Sequence, residues 1–185
     1  MEYLLVTLLI LFLVVEASEQ FLLTLNLKHL AKHGAQVPPG FKEHVDAVTL
    51  RKMRDYTVAH GRLGRVEAFV SAGITLIFLF GGLLNWLNNQ IAANSWSQVT
   101  SGVVFFLVLI YAETFIKLPF SLFNTFVLEK RFGFSNQTLG LWLQDLFKSL
   151  LVNTLLMGFL FYMILWLILT LPDTWWLAGW IFVLL

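Results

Sequence analysis

Two histidines, His29 and His33 in "HLAKH", have the spacing with the most obvious chemical use. Four residues apart on a helix, two imidazoles stand one turn above each other and can take one zinc ion. A hydrolytic zinc helix also needs a carboxylate next to the first histidine to activate water, and Leu30 holds that place. No third ligand is obvious, and Lys32 beside the pair repels a cation. The pair therefore reads as the basic end of a helix at a headgroup layer. His44 and His60 lack paired partners and read as solvated or interfacial. Nucleophilic catalysis has no better footing, because the chain has no cysteine and no serine in a G-x-S-x-G turn.

The carboxylates are more informative. Glu16, Glu19 and Gln20 fall within one 100° arc of a helical wheel, with Asn26 beside it. They interrupt an apolar run, and a charge in mid-membrane costs roughly 2.5–3.5 kcal/mol. Such a stripe has to face protein or water. It could line an aqueous chamber, form a hydrogen-bonded seam between helices, or serve a proton-relay or transport role. Glu113 stands four residues before Lys117, the favourable order for a helical ion pair. Glu129 lies in a loop that mixes aromatic and charged residues.

These residues sit in a chain of 185 amino acids that is 58% hydrophobic and 12% charged. Soluble domains carry about 25% charged residues, so the composition points to an all-α, polytopic integral membrane protein. The net charge of +1 implies no nucleic-acid partner. About 20 apolar residues cross a bilayer. By that measure spans are expected at about 3–31, 66–87, 99–117 and 149–171, with Pro119 breaking the third helix and Pro172 ending the fourth. A partial fifth span occupies 175–185. At 1.5 Å per residue it reaches only about 16 Å, which suggests the front part of a longer polypeptide.

Every lysine and arginine lies between the first and second spans or between the third and fourth. Basic loops stay in the cytoplasm. The loops 32–65 and 118–148 are therefore expected inside and the N-terminus outside, in the endoplasmic reticulum or a bacterial inner membrane. Trp86, Trp96, Trp175 and Trp176 fall at the outer boundary, as indoles prefer. The first loop opens with a turn at "QVPPGF" and continues as a surface helix with a partial apolar stripe at Val45, Val48, Met53, Tyr56 and Val58. In the second, Gly133 and "SNQT" make a turn before an amphipathic helix carrying Leu139, Trp142, Leu143 and Leu146 on one side. Asn136 opens an N-x-T sequon, which this orientation keeps from glycosylation. Gly81-Gly82 and Ala72-Gly73 read as close helix packing.

The second loop carries the sharpest pattern, "LPFSLFNTFVLEKRFGFSNQTLGLWLQDLFK". It resembles the type I CAAX prenyl protease family of membrane zinc metallopeptidases at Leu118, Pro119, Phe120, Thr125, Phe126, Val127, Glu129, Gly133, Phe134, Asn136 and Thr138. "PPGF" followed by "DYTVAHGRLG" resembles that family's first loop. The resemblance implies helices around an intramembrane chamber, and a zinc-bearing catalytic domain downstream that cleaves peptides. It also implies that Glu129 helps anchor the loop under that domain. On this reading the partners are the bilayer, the downstream protease domain and, in the full-length enzyme, a peptide. Zinc belongs to the full-length protein, and this chain, lacking H-E-x-x-H, should hydrolyse nothing alone. The alternatives are a non-enzymatic scaffold or regulatory subunit and, on the polar stripe, a transporter.

Overall fold

The computed structural model describes residues 2–36 and 46–184, without the side chains of 2, 182 and 183. The "QVPPGF" turn, Lys42, His44 and Val45 lie wholly or largely outside those residues. Among the described residues every regular element is helical: α1 (Glu2–His33), α2 (Ala47–Phe80), α3 (Leu83–Ala92), α4 (Gln98–Phe123), a π-helical stretch (Asn124–Glu129), α5 (Lys130–Phe132), α6 (Leu139–Thr170) and α7 (Trp175–Leu184).

Among the described residues, four helical runs are long and apolar enough to span a membrane: Tyr3–His33, Ala47–Phe80, Gln98–Phe132 and Leu139–Thr170. None of their most apolar windows contains a buried residue. In water such surfaces would collapse together. In hydrocarbon they are at home, and the helix satisfies its own backbone donors and acceptors there. Hydroxyl groups follow the same rule. Thr7, Ser18 and Thr24 donate to the carbonyls of Tyr3, Val14 and Gln20, one turn back, at 2.7, 2.7 and 2.6 Å. The chain is a multi-pass helical membrane protein.

Three helix boundaries differ from the sequence reading. The expected surface helix and second span are one continuous α2 of 34 residues, about 51 Å long. It stops at Phe80, because Gly82 adopts a left-handed φ of 78° and a Cβ on Gly81 would lie 2.5 Å from the Ile77 carbonyl oxygen. The glycine pair thus breaks the helix, and α3 restarts beyond it. Pro119 does not break the third helix. It sits inside α4, where it removes one backbone donor, and the chain stays helical to Phe132. The amphipathic helix and fourth span are likewise one element, α6, capped by Thr138, whose hydroxyl accepts from the Leu141 amide at 3.3 Å.

The chain divides into two compact units. The first comprises Met1–Thr75 and Pro119–Asn136, the second Leu76–Leu118 and Gln137–Leu185. In the first, α1 and α2 run antiparallel: Leu27 packs on the site of Gly61, and Gly34 faces Arg54. In the second, α4 and α6 run antiparallel, with Gly102 against Leu165, Phe106 stacked on Phe161 at 4.8 Å and a Tyr111–Thr154 hydroxyl hydrogen bond. An apolar cavity of about 510 Å³ lies between α6 and α7, lined by Ile164, Leu167, Trp175 and Trp180 among others.

Candidate functional site

The family-like stretch is organised around the π-helical turn. A π turn carries an extra residue relative to an α turn and often marks functional positions. Here it turns Thr125 and Leu128 into the first unit, where both are buried. The helix then ends in a Schellman motif: the Phe134 amide donates to the Glu129 carbonyl at 2.9 Å and the Gly133 amide to the Lys130 carbonyl at 3.1 Å. That motif needs a left-handed residue, and Gly133 supplies φ 70°, ψ 28° at no steric cost.

A polar chain links the turn to α2. Asn124 Nδ2 donates to Glu129 Oε1 at 2.8 Å, and Asn124 Oδ1 faces His60 Nδ1 at 3.0 Å. With its amide oxygen toward the ring, Asn124 accepts from Nδ1–H. Below it on α2, Tyr56 stacks on His60 at 5.8 Å and meets Phe132 and Phe134 edge-on at 5.5 and 4.8 Å. One turn further, Lys52 Nζ lies 5.0 Å from the Phe134 ring centre. Each edge-to-face pair is worth roughly 0.5–1.5 kcal/mol beyond its buried area. Lys52, Tyr56 and His60, spaced four apart on α2, thus form a three-residue stripe that clamps the motif.

Of the residues expected in the loop, Pro119 and Phe120 lie in α4, and Thr125, Phe126 and Glu129 in the π turn. Phe126 carries Lys130 Nζ at 5.2 Å from its ring centre. Phe134 is 52% exposed despite its contacts, and Asn136 is exposed. Thr138 acts as a helix cap. Asn124, Lys52 and His60 were not foreseen. Asn124 carries only a weak signal in sequence, whereas the i, i+4, i+8 spacing on α2 could have flagged the other two.

The polar stripe on α1 is divided in its surroundings. Glu16 and Gln20 are half-buried, whereas Glu19 and Asn26 are exposed. Gln20 Oε1 and, on α2, Arg65 Nε are buried atoms without a hydrogen-bond partner among the described residues. The His29 and His33 rings lie 4.8 Å apart, but no group of three or more potential metal ligands occurs among the described residues. A tetrahedral zinc site needs three protein ligands and an open position, so these residues do not fit zinc and no catalytic step is assigned to them.

Among the described residues, four long apolar helices and an ordered aromatic turn at a basic end define a multi-span helical membrane module. The family model described as "CAAX prenyl protease N-terminal, five membrane helices" matches residues 26–185, and the chain belongs to this family. It is 29% identical over 164 residues to the CAAX prenyl protease 1 homolog of Homo sapiens, covering 85% of this chain and 34% of that protein. It is 30% identical over 135 residues to the probable CAAX prenyl protease 1 of Schizosaccharomyces pombe, covering 65% of this chain and 28% of that protein. The fold is similar to that in the crystal structure of S. mikatae Ste24p, with TM-score 0.81, 24% identity, and coverage of 94% of this chain and 42% of that one. The chain spans about a third of the length of the curated relatives it matches.

Proposed function

We propose that this chain is the N-terminal transmembrane part of a membrane-embedded zinc metalloendopeptidase, with α1 and its neighbours forming wall of an intramembrane chamber. The π turn and the aromatic clamp are the docking surface for a zinc-bearing catalytic domain of the same polypeptide, which acts on a peptide substrate. The observation that carries this reading is the ordering of the exposed Phe134 by the Gly133 motif, Tyr56 and Lys52. An exposed aromatic held in one position by several contacts is pre-organised for a partner, because little side-chain entropy remains to be lost on docking. The turn faces the cytoplasm and the N-terminus the outside, because the basic residues cluster in its loop and in the first. The membrane is the endoplasmic reticulum or a bacterial inner membrane. The exposed members of the α1 stripe, Glu19 and Asn26, face the chamber and its water, while the half-buried Glu16 and Gln20 turn toward neighbouring helices.

The test is photocrosslinking. A benzophenone side chain replaces Phe134 in the full-length protein, and crosslinked peptides are mapped by mass spectrometry. Crosslinks to the segment that carries the zinc ligands are expected. Crosslinks to lipid alone would sink the docking assignment. The chain by itself, supplied with zinc and a peptide, is expected to cleave nothing.

A further inference from the structure

We propose that a cleft in the first unit binds a phosphate monoester, of the kind displayed by a phosphatidic-acid-type lipid headgroup. Ala31 of α1, Arg54, Asp55 and Arg62 of α2, and Arg131 and Phe132 of α5 line a cavity of about 470 Å³. Three arginines and one aspartate are among its lining residues. Asp55 Oδ1 is committed to Arg54, accepting from its Nε at 2.9 Å and its Nη2 at 2.7 Å. Arg62 and Arg131 have no carboxylate within 4 Å among the described residues. The Arg131 guanidinium lies 6.0 Å from the centre of the Phe132 ring, which holds it against the cleft wall.

The cleft therefore has a surplus of two positive charges in two forked donor sets. A phosphate monoester carries close to two negative charges at neutral pH, its second pKa being about 6. A phosphodiester carries one. Arginine forks pair with phosphate oxygens two at a time, which suits the monoester's three terminal oxygens. Depth agrees with a lipid source. Arg62 lies four residues before Val66, where the apolar part of α2 begins, a rise of about 6 Å. That places it in the headgroup layer, which adds about 5–8 Å to each side of the hydrocarbon core. Arg54 lies two turns further out, so the cleft opens from the headgroup layer toward water, as basic interhelical pockets for acidic headgroups do. The depth rests on the membrane reading of α1 and α2. The charge and the cavity are independent of any protease role.

The experiment uses the full-length protein in phosphatidylcholine nanodiscs doped with either phosphatidic acid or phosphatidylglycerol at equal mole fraction. Native mass spectrometry counts the retained lipid. Phosphatidic acid should be retained about tenfold more strongly than the diester, and Arg62→Gln or Arg131→Gln should each lower its retention by about tenfold. Asp55→Asn frees Arg54 and should raise retention severalfold, a gain that a misfolded variant does not give. Displacement by soluble glycerol 3-phosphate would assign the site to phosphate whatever its source, whereas resistance to it would assign it to the intact lipid. Equal retention of the two lipids, or retention unchanged in the Arg62→Gln/Arg131→Gln double variant, would overturn the proposal. Peptide cleavage is not the readout, so either result leaves the protease reading where it stands.

Discussion

Gly133→Ala isolates the backbone strain of the family motif. Gly133 has φ 70° and ψ 28°, a region that costs a residue with a side chain roughly 1–2 kcal/mol. Space is not the problem, because an added Cβ would meet nothing nearer than Lys52 Nζ at 3.7 Å. Alanine also narrows the unfolded ensemble, which returns about 0.4–1 kcal/mol. The net loss should be about 1 kcal/mol. Gly140 is the natural control. It lies in the first turn of α6 with open space around its Cβ position, and Gly140→Ala should stabilise by up to about 1 kcal/mol. The two variants should therefore differ by about 2 kcal/mol, which at 2–4 °C per kcal/mol for a chain of this size is about 4–8 °C in Tm. Gly133→Asn should fall between Gly133→Ala and the parent, since asparagine tolerates the left-handed region best among residues with side chains. The assay is tryptophan-fluorescence melting of the detergent-solubilised protein. A Gly133→Ala protein that melts at or above Gly140→Ala would refute the strain argument.

Tyr111→Phe removes the hydroxyl that bonds Thr154 across α4 and α6 and should lower stability by about 0.5–1.5 kcal/mol in the same assay; an unchanged melt would mean the bond contributes nothing. At Gly61 an added Cβ would sit 2.6 Å from Leu27 Cδ2, the end of a flexible side chain. Gly61→Ala should therefore be mild, while Gly61→Val should cost about 1–3 kcal/mol by overpacking, read by denaturant titration in detergent. On this cysteine-free chain, Ser97→Cys should react with an impermeant maleimide from outside intact cells, and Lys42→Cys and Lys130→Cys only after permeabilisation. Reaction of Lys130→Cys in intact cells would reverse the proposed orientation.

The four spans were legible because an 18-residue apolar run signals itself through composition alone. Their ends were not, and each miss has a local cause. Pro119 looked like a terminator, yet a single proline costs one internal hydrogen bond and a clash with the preceding turn, and the irregular turn just after it leaves the chain helical. Gly81-Gly82 looked like packing residues. The left-handed φ at Gly82 is a backbone property that residue type allows without announcing it. The turn at Gly133 was expected because the glycine and the polar residues after it agree. The clamp on that turn was harder to see. His60 and Asn124 are 64 residues apart, and a stripe counted on apolar residues alone kept Tyr56 but passed over Lys52 and His60. Family resemblance located the motif, whereas only tertiary contacts revealed what holds it.

The first helix has one further implication, for biogenesis. Its threonine and serine hydroxyls are satisfied by its own carbonyls, so they ask nothing of the bilayer and attract no neighbour. The demand for hydration or a polar companion is concentrated in Glu16, Glu19, Gln20 and Asn26, all on one flank. A segment of that character enters lipid at a penalty that falls once another helix, or water, arrives alongside. During synthesis, its integration should therefore depend on the emergence of α2, and ribosome-bound intermediates with α2 still inside the exit tunnel should hold it less firmly than longer ones in which all of α2 has emerged.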